Sequence, residues 1–319
     1  MTNIDFVGKK KIFFTISLIL IGISLLCAMI FGVKIAIEFK GGTLINYSYE
    51  GTLDTKLIKE KVEEQIGEDV IITEGQDFNN NTNTIQISFA KDKGLTADKQ
   101  FELTKKLQAD YAANSFQLIS SSDVSPSSGR EFFDKCWVAV AFASILLVLY
   151  IAWRFKKIGG WSAGVMAVVA LIHDVALVFG TFVIFRIPID ANFMAVVLTI
   201  LGYSINDTIV IYDRIRENKK LLGKNISRAD LVNKSINQSL SRSINTSICT
   251  VSSMIIVSIV AVIFHVDSIL SFSFPLIIGI TAGAYSTICI AGPLWVWWEG
   301  IMDKRKAAKK LQKKALKKA

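Results

Sequence analysis

The sequence has little of what soluble enzymes and metalloproteins use. Its 319 residues include only two histidines, four prolines and four cysteines. It contains neither a phosphate-binding G-x-x-x-x-G-K-[ST] loop nor a zinc-binding H-E-x-x-H pair, so neither nucleotide hydrolysis nor zinc chemistry is indicated. We therefore expect no enzymatic activity and no cofactor. Any work that the chain performs must draw on an ion gradient or on the ATPase of a partner.

The four cysteines are isolated from one another. Each lies within or at the edge of an apolar run and none belongs to a C-x-x-C pair: Cys27, Cys136, Cys249 and Cys289. We interpret them as buried, small hydrophobic side chains. Residues 34–135 contain no cysteine, so this segment does not use disulfides.

Basic charge is scarce in one part of the chain. Residues 34–135 hold 12 Lys and Arg against 17 Asp and Glu, although the whole chain has a net charge of +9. The basic surplus therefore lies in short segments beside the apolar runs and in the C-terminal tail. This distribution favours orientation in a membrane and argues against nucleic-acid binding, which needs a basic folded face.

Long apolar runs are abundant. Six of them reach or exceed the roughly 18 residues that suggest a transmembrane helix. The predicted spans are 12–33, 136–153, 161–185, 191–212, 243–264 and 269–298. The first is longer than the apolar region of a cleaved signal peptide, so we predict an uncleaved anchor.

Lys and Arg are enriched in the segments on one side of these spans only. They are concentrated at 1–11, 154–157, 213–242 and 299–319, which predicts cytoplasmic N- and C-termini and an external segment 34–135. The last sixteen residues contain nine basic residues and no acid. We expect this tail to contact anionic lipid.

The external segment predicts a small α+β domain. Strand-like runs occur at 43–49, 70–73, 84–89 and 116–120, and helical patterns at 55–66 and 97–112. The order β-α-β-β-α-β is that of a ferredoxin-like fold. Residues 77–83 read as a polar hairpin tip. Residues 120–129, with Pro126, read as a flexible hinge that leads back to the membrane.

The fourth span carries ionisable and amide side chains at membrane depth. Asp207 follows Asn206 within it, and a carboxylate there costs about 2.5–3.5 kcal/mol on insertion scales. Thr199 and Tyr203 share one helical face with this pair. Such a costly carboxylate indicates a functional site.

Arg242 stands at the start of the fifth span, so Asp207 and Arg242 can lie at similar depth on antiparallel helices. Close approach favours an ionised carboxylate, and separation with desolvation favours a protonated one. A cycle between these states would carry a proton. The alternative is a static buried ion pair that fixes helix packing.

Two further features are a pair of polar residues in the third span and a pair of glycines in the sixth. His173 and Asp174 lie near the centre of the third span; adjacent residues point in different directions on a helix, so we do not expect them to pair. Each is interpreted either as a relay residue or as a packing residue. Gly279 and Gly283 form a small-xxx-small motif, at which another helix can approach closely.

These motifs resemble the SecF family, the smaller half of the bacterial SecD–SecF protein-export membrane complex. The resemblance covers nearly the whole chain. Its most specific parts are GYSINDTIVIYDRIREN at 202–218 and SINQSLSRSINTS at 235–247, supported by IEFKGGT at 37–43. Glu38, Gly41 and Gly42 belong to the last motif. Glu38 departs from the Asp usual in the family, and Ser125, before Pro126, departs from its usual Gly.

The resemblance implies a member of the resistance–nodulation–division superfamily in the bacterial cytoplasmic membrane. It implies pairing with SecD, association with the SecYEG channel and its accessory subunits, and action on preproteins after the SecA ATPase has started them. The energy would come from a gradient of H⁺ or Na⁺. Asp207 and Arg242 match the family's transport carboxylate and arginine. The alternatives are a passive translocase scaffold and a transporter of small molecules or lipids.

Overall fold

The computed structural model describes residues 4–67, 69–77, 82–89, 96–223, 226–264 and 266–316. Six helical stretches within these residues are long and apolar enough to cross a membrane. The elements, in chain order, are α1 (Lys10–Phe31), α2 (Ile37–Lys40), β1 (Gly42–Tyr49), α3 (Thr55–Ile66), β2 (Val70–Asp77), β3 (Thr82–Phe89), α4 (Ala97–Asp110), β4 (Gln117–Val124), α5 (Pro126–Arg154), α6 (Gly160–Ile184), α7 (Ala191–Leu222), α8 (Arg228–Ile263), α9 (Asp267–Ser286) and α10 (Gly292–Leu316).

The helical bundle has an inner and an outer set of helices. In the apolar parts of α6 and α7, 56% of the residues are buried, against 11% in α1, α5 and α8. The outer helices expose large apolar side chains such as Leu18, Phe142 and Ile256. Exposed apolar surface of this extent is stable only against lipid or another protein.

The α/β domain lies between α1 and α5. Its four strands have the order β2-β3-β1-β4, and every neighbouring pair is antiparallel. Side chains from alternate positions of the strands, such as Tyr47 and Ile87, form one core with Ile58 of α3 and Leu103 of α4. The two helices therefore cover one face of the sheet. The predicted hairpin tip 77–83 lies partly outside the described residues, as does the end of the basic tail.

Residues 120–129, predicted as a hinge without regular structure, form the end of β4 and the start of α5 instead. Residues 117–124 form β4, which pairs with β1 up to Gly42 opposite Val124, and α5 begins at Pro126. The Ser125 side chain accepts a hydrogen bond from the Ser128 backbone N–H. A serine N-cap followed by proline at the first helical position is a strong start signal. The helix consequently begins ten residues before the apolar run that predicted it.

The predicted loop 213–242 is mostly helical. α7 continues to Leu222 and α8 already begins at Arg228, so both helices extend beyond their apolar spans. An ion pair of 2.6 Å between Arg216 and Asp213 supports α7, and Ser227 caps α8 by accepting from the Asp230 N–H. Hydrophobicity alone marks the membrane-spanning part of a helix, not its polar continuation.

The sixth span is also divided. α9 and α10 are separated by a π-helical turn at Thr287–Ala291, and Pro293 is the second residue of α10. Proline has no N–H and its ring clashes with the carbonyl four residues earlier in a regular helix. The wide turn before Pro293 removes this conflict.

The α/β domain also contacts the bundle through its edge strand. The Glu74 backbone N–H of β2 donates to Asp267 Oδ2 at the start of α9, at 2.9 Å. We expect Asp267→Ala to speed hydrogen exchange of the Glu74 amide roughly tenfold, because a charge-assisted bond is lost. Exchange measured by mass spectrometry at fragment resolution checks this. The Val70 amide, which donates to Glu63 instead, should keep its exchange rate.

The two connections between the domain and the bundle touch each other closely. We call residues 34–41 and 125–129 the stalk. Gly41 has a φ of +82°, and a Cβ there would lie 2.6 Å from Pro126 Cα. A Cβ at Gly129 would lie 2.9 Å from the Phe39 carbonyl oxygen. Both glycines therefore allow backbone to pack directly against backbone.

Gly41→Ala should destabilise the stalk by about 2–4 kcal/mol, since it adds a backbone clash to the strain of a positive φ. The matched control is Gly67→Ala. Gly67 has a φ of +75° but nothing within 4 Å of its Cβ position, so it reports the strain alone. Thermal unfolding of the purified variants measures the difference. Equal midpoints for both variants would contradict the close packing.

Candidate functional site

Polar hydrogen bonds join α7 and α8 along their length. Tyr203 Oη donates to Thr250 Oγ1 at 3.2 Å, and Asn218 Nδ2 donates to Ser235 Oγ at 2.9 Å. These bonds fix an antiparallel register in which Asp207 lies level with Thr246. Arg242 is one helical turn, about 6 Å, further toward the end of the bundle opposite the α/β domain.

Asp207 is buried, with 4% of its surface exposed, and its Oδ2 has no hydrogen-bond partner among the described residues. Arg242 is exposed and near enough to act electrostatically on the Asp207 carboxylate. No ion pair joins the two within the part of the chain that the structure describes. The described part of the structure therefore does not contain the static buried ion pair between Asp207 and Arg242 that was the alternative interpretation of the sequence.

Two serines of α8 also have buried polar atoms without a hydrogen-bond partner in the described part of the chain. The hydroxyl oxygens of Ser243 and Ser247, one turn apart on the face of α8 that is turned into the bundle, are buried and without a hydrogen-bond partner among the described residues. Buried polar groups are nearly always hydrogen-bonded in stable folds. Unpaired groups concentrated on two facing helices mark a place that can receive an ion or a proton donor.

The remaining polar residues of this stripe lie toward the surface. Thr199 and Asn206 are exposed on α7, and Thr199 Oγ1 donates to the Ala195 carbonyl of its own helix. Asn245 and Thr246 are exposed on α8. The stripe thus opens on a polar surface at membrane depth, where lipid cannot satisfy amide groups.

A second polar cluster lies on the other side of α7. Asp174 is fully buried, and its Oδ2 accepts from Ser204 Oγ at 2.9 Å and from Ser286 Oγ at 2.8 Å. Its Oδ1 lies 3.0 Å from His173 Nδ1. The expectation that His173 and Asp174 would not pair is wrong, because the two side chains are within hydrogen-bond distance although the residues are adjacent on the helix. His173 Nε2 has no partner among the described residues.

This second cluster connects three inner helices. Asp174 belongs to α6, Ser204 to α7 and Ser286 to the end of α9, directly before the π-helical turn. Thr208 Oγ1 lies 3.1 Å from Thr287 Oγ1. Single π turns occur frequently at functional sites. The cluster holds α7 against α9 one turn away from Asp207.

Gly279 and Gly283 lie on the face of α9 that contacts α7. A Cβ at Gly279 would overlap Ile200, and a Cβ at Gly283 would lie 3.0 Å from Ser204 Cβ. The two helices therefore approach closely beside the Asp174 cluster. The small-xxx-small motif predicted a close helix contact at these glycines but did not identify α7 as the partner helix.

Sequence reasoning missed Ser204, Thr208, Ser286 and Thr287. A signal for the first two exists, since Ser204 and Thr208 are four residues apart and define a second polar face on α7. For the α9 residues the signal is weak, because single hydroxyls are common in apolar helices. In the described residues, no group of three or more His, Cys, Asp or Glu side chains could hold a metal ion.

The fold and the buried carboxylate define a polytopic helical membrane protein with an intramembrane ionisable site. The sequence profile described as "Protein export membrane protein SecD/SecF, C-terminal" matches residues 103–300. "Protein translocase subunit SecF" of Calditerrivibrio nitroreducens is 36% identical, over 92% of this chain and 93% of that protein. The chain belongs to the SecD/SecF family of protein-export membrane proteins.

In longer relatives, the region that matches this chain is only one part of the protein. "Protein translocase subunit SecDF" of Bacillus subtilis is 33% identical over 95% of this chain but only 39% of its own length. A crystal structure of SecDF from Thermus thermophilus, described as a translocon-associated membrane protein, is 29% identical with a TM-score of 0.74. It matches 93% of this chain, which spans 39% of that longer chain.

Proposed function

We propose that this chain is a SecF-type subunit of the Sec protein translocase. With a SecD-type partner it uses an H⁺ or Na⁺ gradient to promote late steps of preprotein export across the bacterial cytoplasmic membrane. The observation that carries the proposal is Asp207, a buried and unpaired intramembrane carboxylate that Arg242 influences from one turn away. In a family of export proteins, such a carboxylate is suited to bind and release the coupled ion. The proposal includes no enzymatic activity and no cofactor.

The partner proposed first is SecD. Two features support it: the relatives in which both halves form one chain, and the exposed polar stripe of α7 and α8, which needs a protein surface opposite. Contacts with the SecYEG channel, with SecA and with accessory subunits also belong to this proposal, and the names of the relatives as translocase subunits support it. The substrate is then an unfolded preprotein.

We propose an orientation with both termini in the cytoplasm. The basic residues Arg154, Lys156 and Lys157 lie at and directly after the C-terminal end of α5, at the end of the bundle where α1 begins. Basic residues are enriched on the cytoplasmic side of membrane proteins. Contact of the basic end of α10 with anionic lipid belongs to this proposal.

We also propose that the external domain is ferredoxin-like. The sheet order β2-β3-β1-β4 with antiparallel neighbours, and one helix between β1 and β2 and another between β3 and β4, support this assignment.

The test uses sealed vesicles that contain this chain, its SecD partner, SecYEG and SecA. Export of a reporter preprotein is measured with ATP alone, then with an added proton gradient and, separately, a sodium gradient. We expect one gradient to increase export, and that gradient identifies the ion. A passive scaffold would raise export by the same amount in all three conditions, which would overturn the proposal.

A further inference from the structure

The stalk packs against α5 and continues directly into two paired strands of the α/β domain. The Phe39 ring lies between Phe132, at 5.4 Å between ring centroids, and Phe133, at 5.2 Å. β1 and β4, which continue directly from the two stalk segments, pair with each other down to Gly42 and Val124. Strand pairing that runs directly into the stalk favours transmission of a displacement from the domain to the stalk.

The stalk is also hydrogen-bonded to the connection between α6 and α7. The Ala36 N–H donates to the Ile189 carbonyl at 2.9 Å, and the Ile189 N–H donates to the Lys34 carbonyl at 2.8 Å. Ile35 and Ile189 form a short parallel β-bridge. Backbone bonds of this kind tie the entry to the domain to the segment immediately before α7.

Glu38 completes this attachment with its side chain. Its Oε2 accepts a 2.9 Å hydrogen bond from the N–H of Ala191, the first residue of α7. Asp190, the N-cap, accepts from the Phe193 N–H at 3.1 Å. Burial raises the pKa of the Asp190 carboxyl, and the charge of Glu38 adds to the rise. The first turn of α7 is thus held by one carboxylate of its own and one of the stalk.

α7 then runs without interruption from Ala191 to Leu222, and Asp207 lies about 24 Å beyond the Glu38 contact along this rigid helix. A further contact of the domain, between the Glu74 N–H of β2 and Asp267, is made with a different helix, α9. A motion that opens the Glu74 contact can leave the Glu38 contact intact. The stalk is consequently the direct mechanical route between the domain and the helix of Asp207.

We propose that Glu38 is a positioning residue that fastens the external domain to the N-terminus of α7, so that displacement of either is transmitted to the other. The inference rests on the proposed function, in which ion binding at Asp207 powers motion of the domain. Glu38 contacts neither the ion nor the preprotein in this scheme. Its carboxylate works only as a tether.

The test compares gradient-stimulated with ATP-driven export for the full chain in the vesicles described above. Glu38→Ala should reduce the gradient-stimulated part roughly tenfold, the effect of losing a charge-assisted hydrogen bond, and should leave ATP-driven export unchanged. Glu38→Asp, which keeps a carboxylate, should retain most of the stimulation. Glu102→Ala, at an exposed carboxylate of α4, is the matched control and should behave as wild type.

A second variant separates tethering from any other role of the carboxylate. In a chain whose four cysteines are replaced by alanine, Ile35→Cys and Ile189→Cys are added to Glu38→Ala. A disulfide between these bridge partners should restore gradient-stimulated export, and reducing it should remove the stimulation again. If stimulation is not restored although the disulfide forms, or if Glu38→Ala alone keeps full stimulation, the tether is overturned. Wild-type vesicles without any stimulation would instead refute the proposed function itself.

Discussion

Asp207→Asn is expected to eliminate the gradient-stimulated part of export while ATP-driven export continues. Asparagine has nearly the same shape as aspartate, but it neither binds and releases a proton near neutral pH nor offers a negative charge to a cation. Because Asp207 Oδ2 has no hydrogen-bond partner among the described residues, the substitution breaks no protein contact there. Removing an unpaired buried charge should leave the folding stability unchanged or raise it by about 1 kcal/mol.

The measurement is the ratio of export with and without the gradient, together with the thermal midpoint of the purified variant. Asp213→Asn is the control on the same helix. Asp213 is 47% exposed and pairs with Arg154 and Arg216 near the end of the bundle, so its loss removes only surface ion pairs. A ratio for Asp207→Asn equal to that of wild type, with normal assembly, would refute ion coupling at this site.

The parts of the fold that sequence predicted well have local causes. α3 was predicted at 55–66 and has those bounds: the Asp54 side chain caps its first turn, and Gly67 ends it in the left-handed conformation. Both signals act within one turn of the helix. The six apolar runs located the membrane helices because the length needed to cross a bilayer is fixed by the bilayer.

The errors arose where packing between distant segments determines the structure. β4 extends to Val124 because β1 provides a partner for its backbone groups, and a serine-rich stretch alone gives no such indication. The contacts of the N-terminal residues, for which the sequence gives no prediction, have the same cause. Asn233 and Asn237, one turn apart on α8, accept from the backbone N–H groups of Val7 and Ile4 at 3.0 Å. Contacts across more than 200 residues leave no periodic pattern in the sequence.

In the candidate site, too, the sequence identifies single residues but not the contacts that they make with distant segments. Asp207 was identified because charge at membrane depth is costly wherever it occurs. Its exact relation to Arg242 depends on the register of α7 against α8, which the hydrogen bonds of Tyr203 and Asn218 determine. The contact between Glu38 and α7 joins residues 153 positions apart. The sequence motif marked Glu38 but could not identify the helix that it holds.

The second large predicted effect concerns Asp174. Its replacement by alanine tests its role in packing, and its replacement by asparagine tests its role in ion binding. In Asp174→Ala the Ser204 hydroxyl group and the His173 imidazole lose their partner in a fully buried cluster. The Ser286 hydroxyl group keeps only its 3.2 Å bond to the Gly283 carbonyl. Each orphaned group costs about 1–3 kcal/mol. We therefore expect a loss of roughly 3–5 kcal/mol of stability and poor assembly, measured by thermal unfolding in detergent. Ser144→Ala, which removes only a bond to the Val140 carbonyl of its own helix, should change stability by less than about 0.5 kcal/mol.

Asp174→Asn should instead keep both the fold and the gradient-stimulated export. Its amide oxygen can accept from both serines, and its amide nitrogen can donate to an unprotonated His173 Nδ1. All three contacts then survive without a titratable group. This result would assign Asp174 to holding α7 against α9 beside the site, and leave Asp207 as the residue that exchanges the ion. A variant that folds normally but loses its gradient response would show the opposite. The lost carboxyl group, with its charge and its exchangeable proton, would account for this loss, and both clusters on α7 would then belong to one ion path.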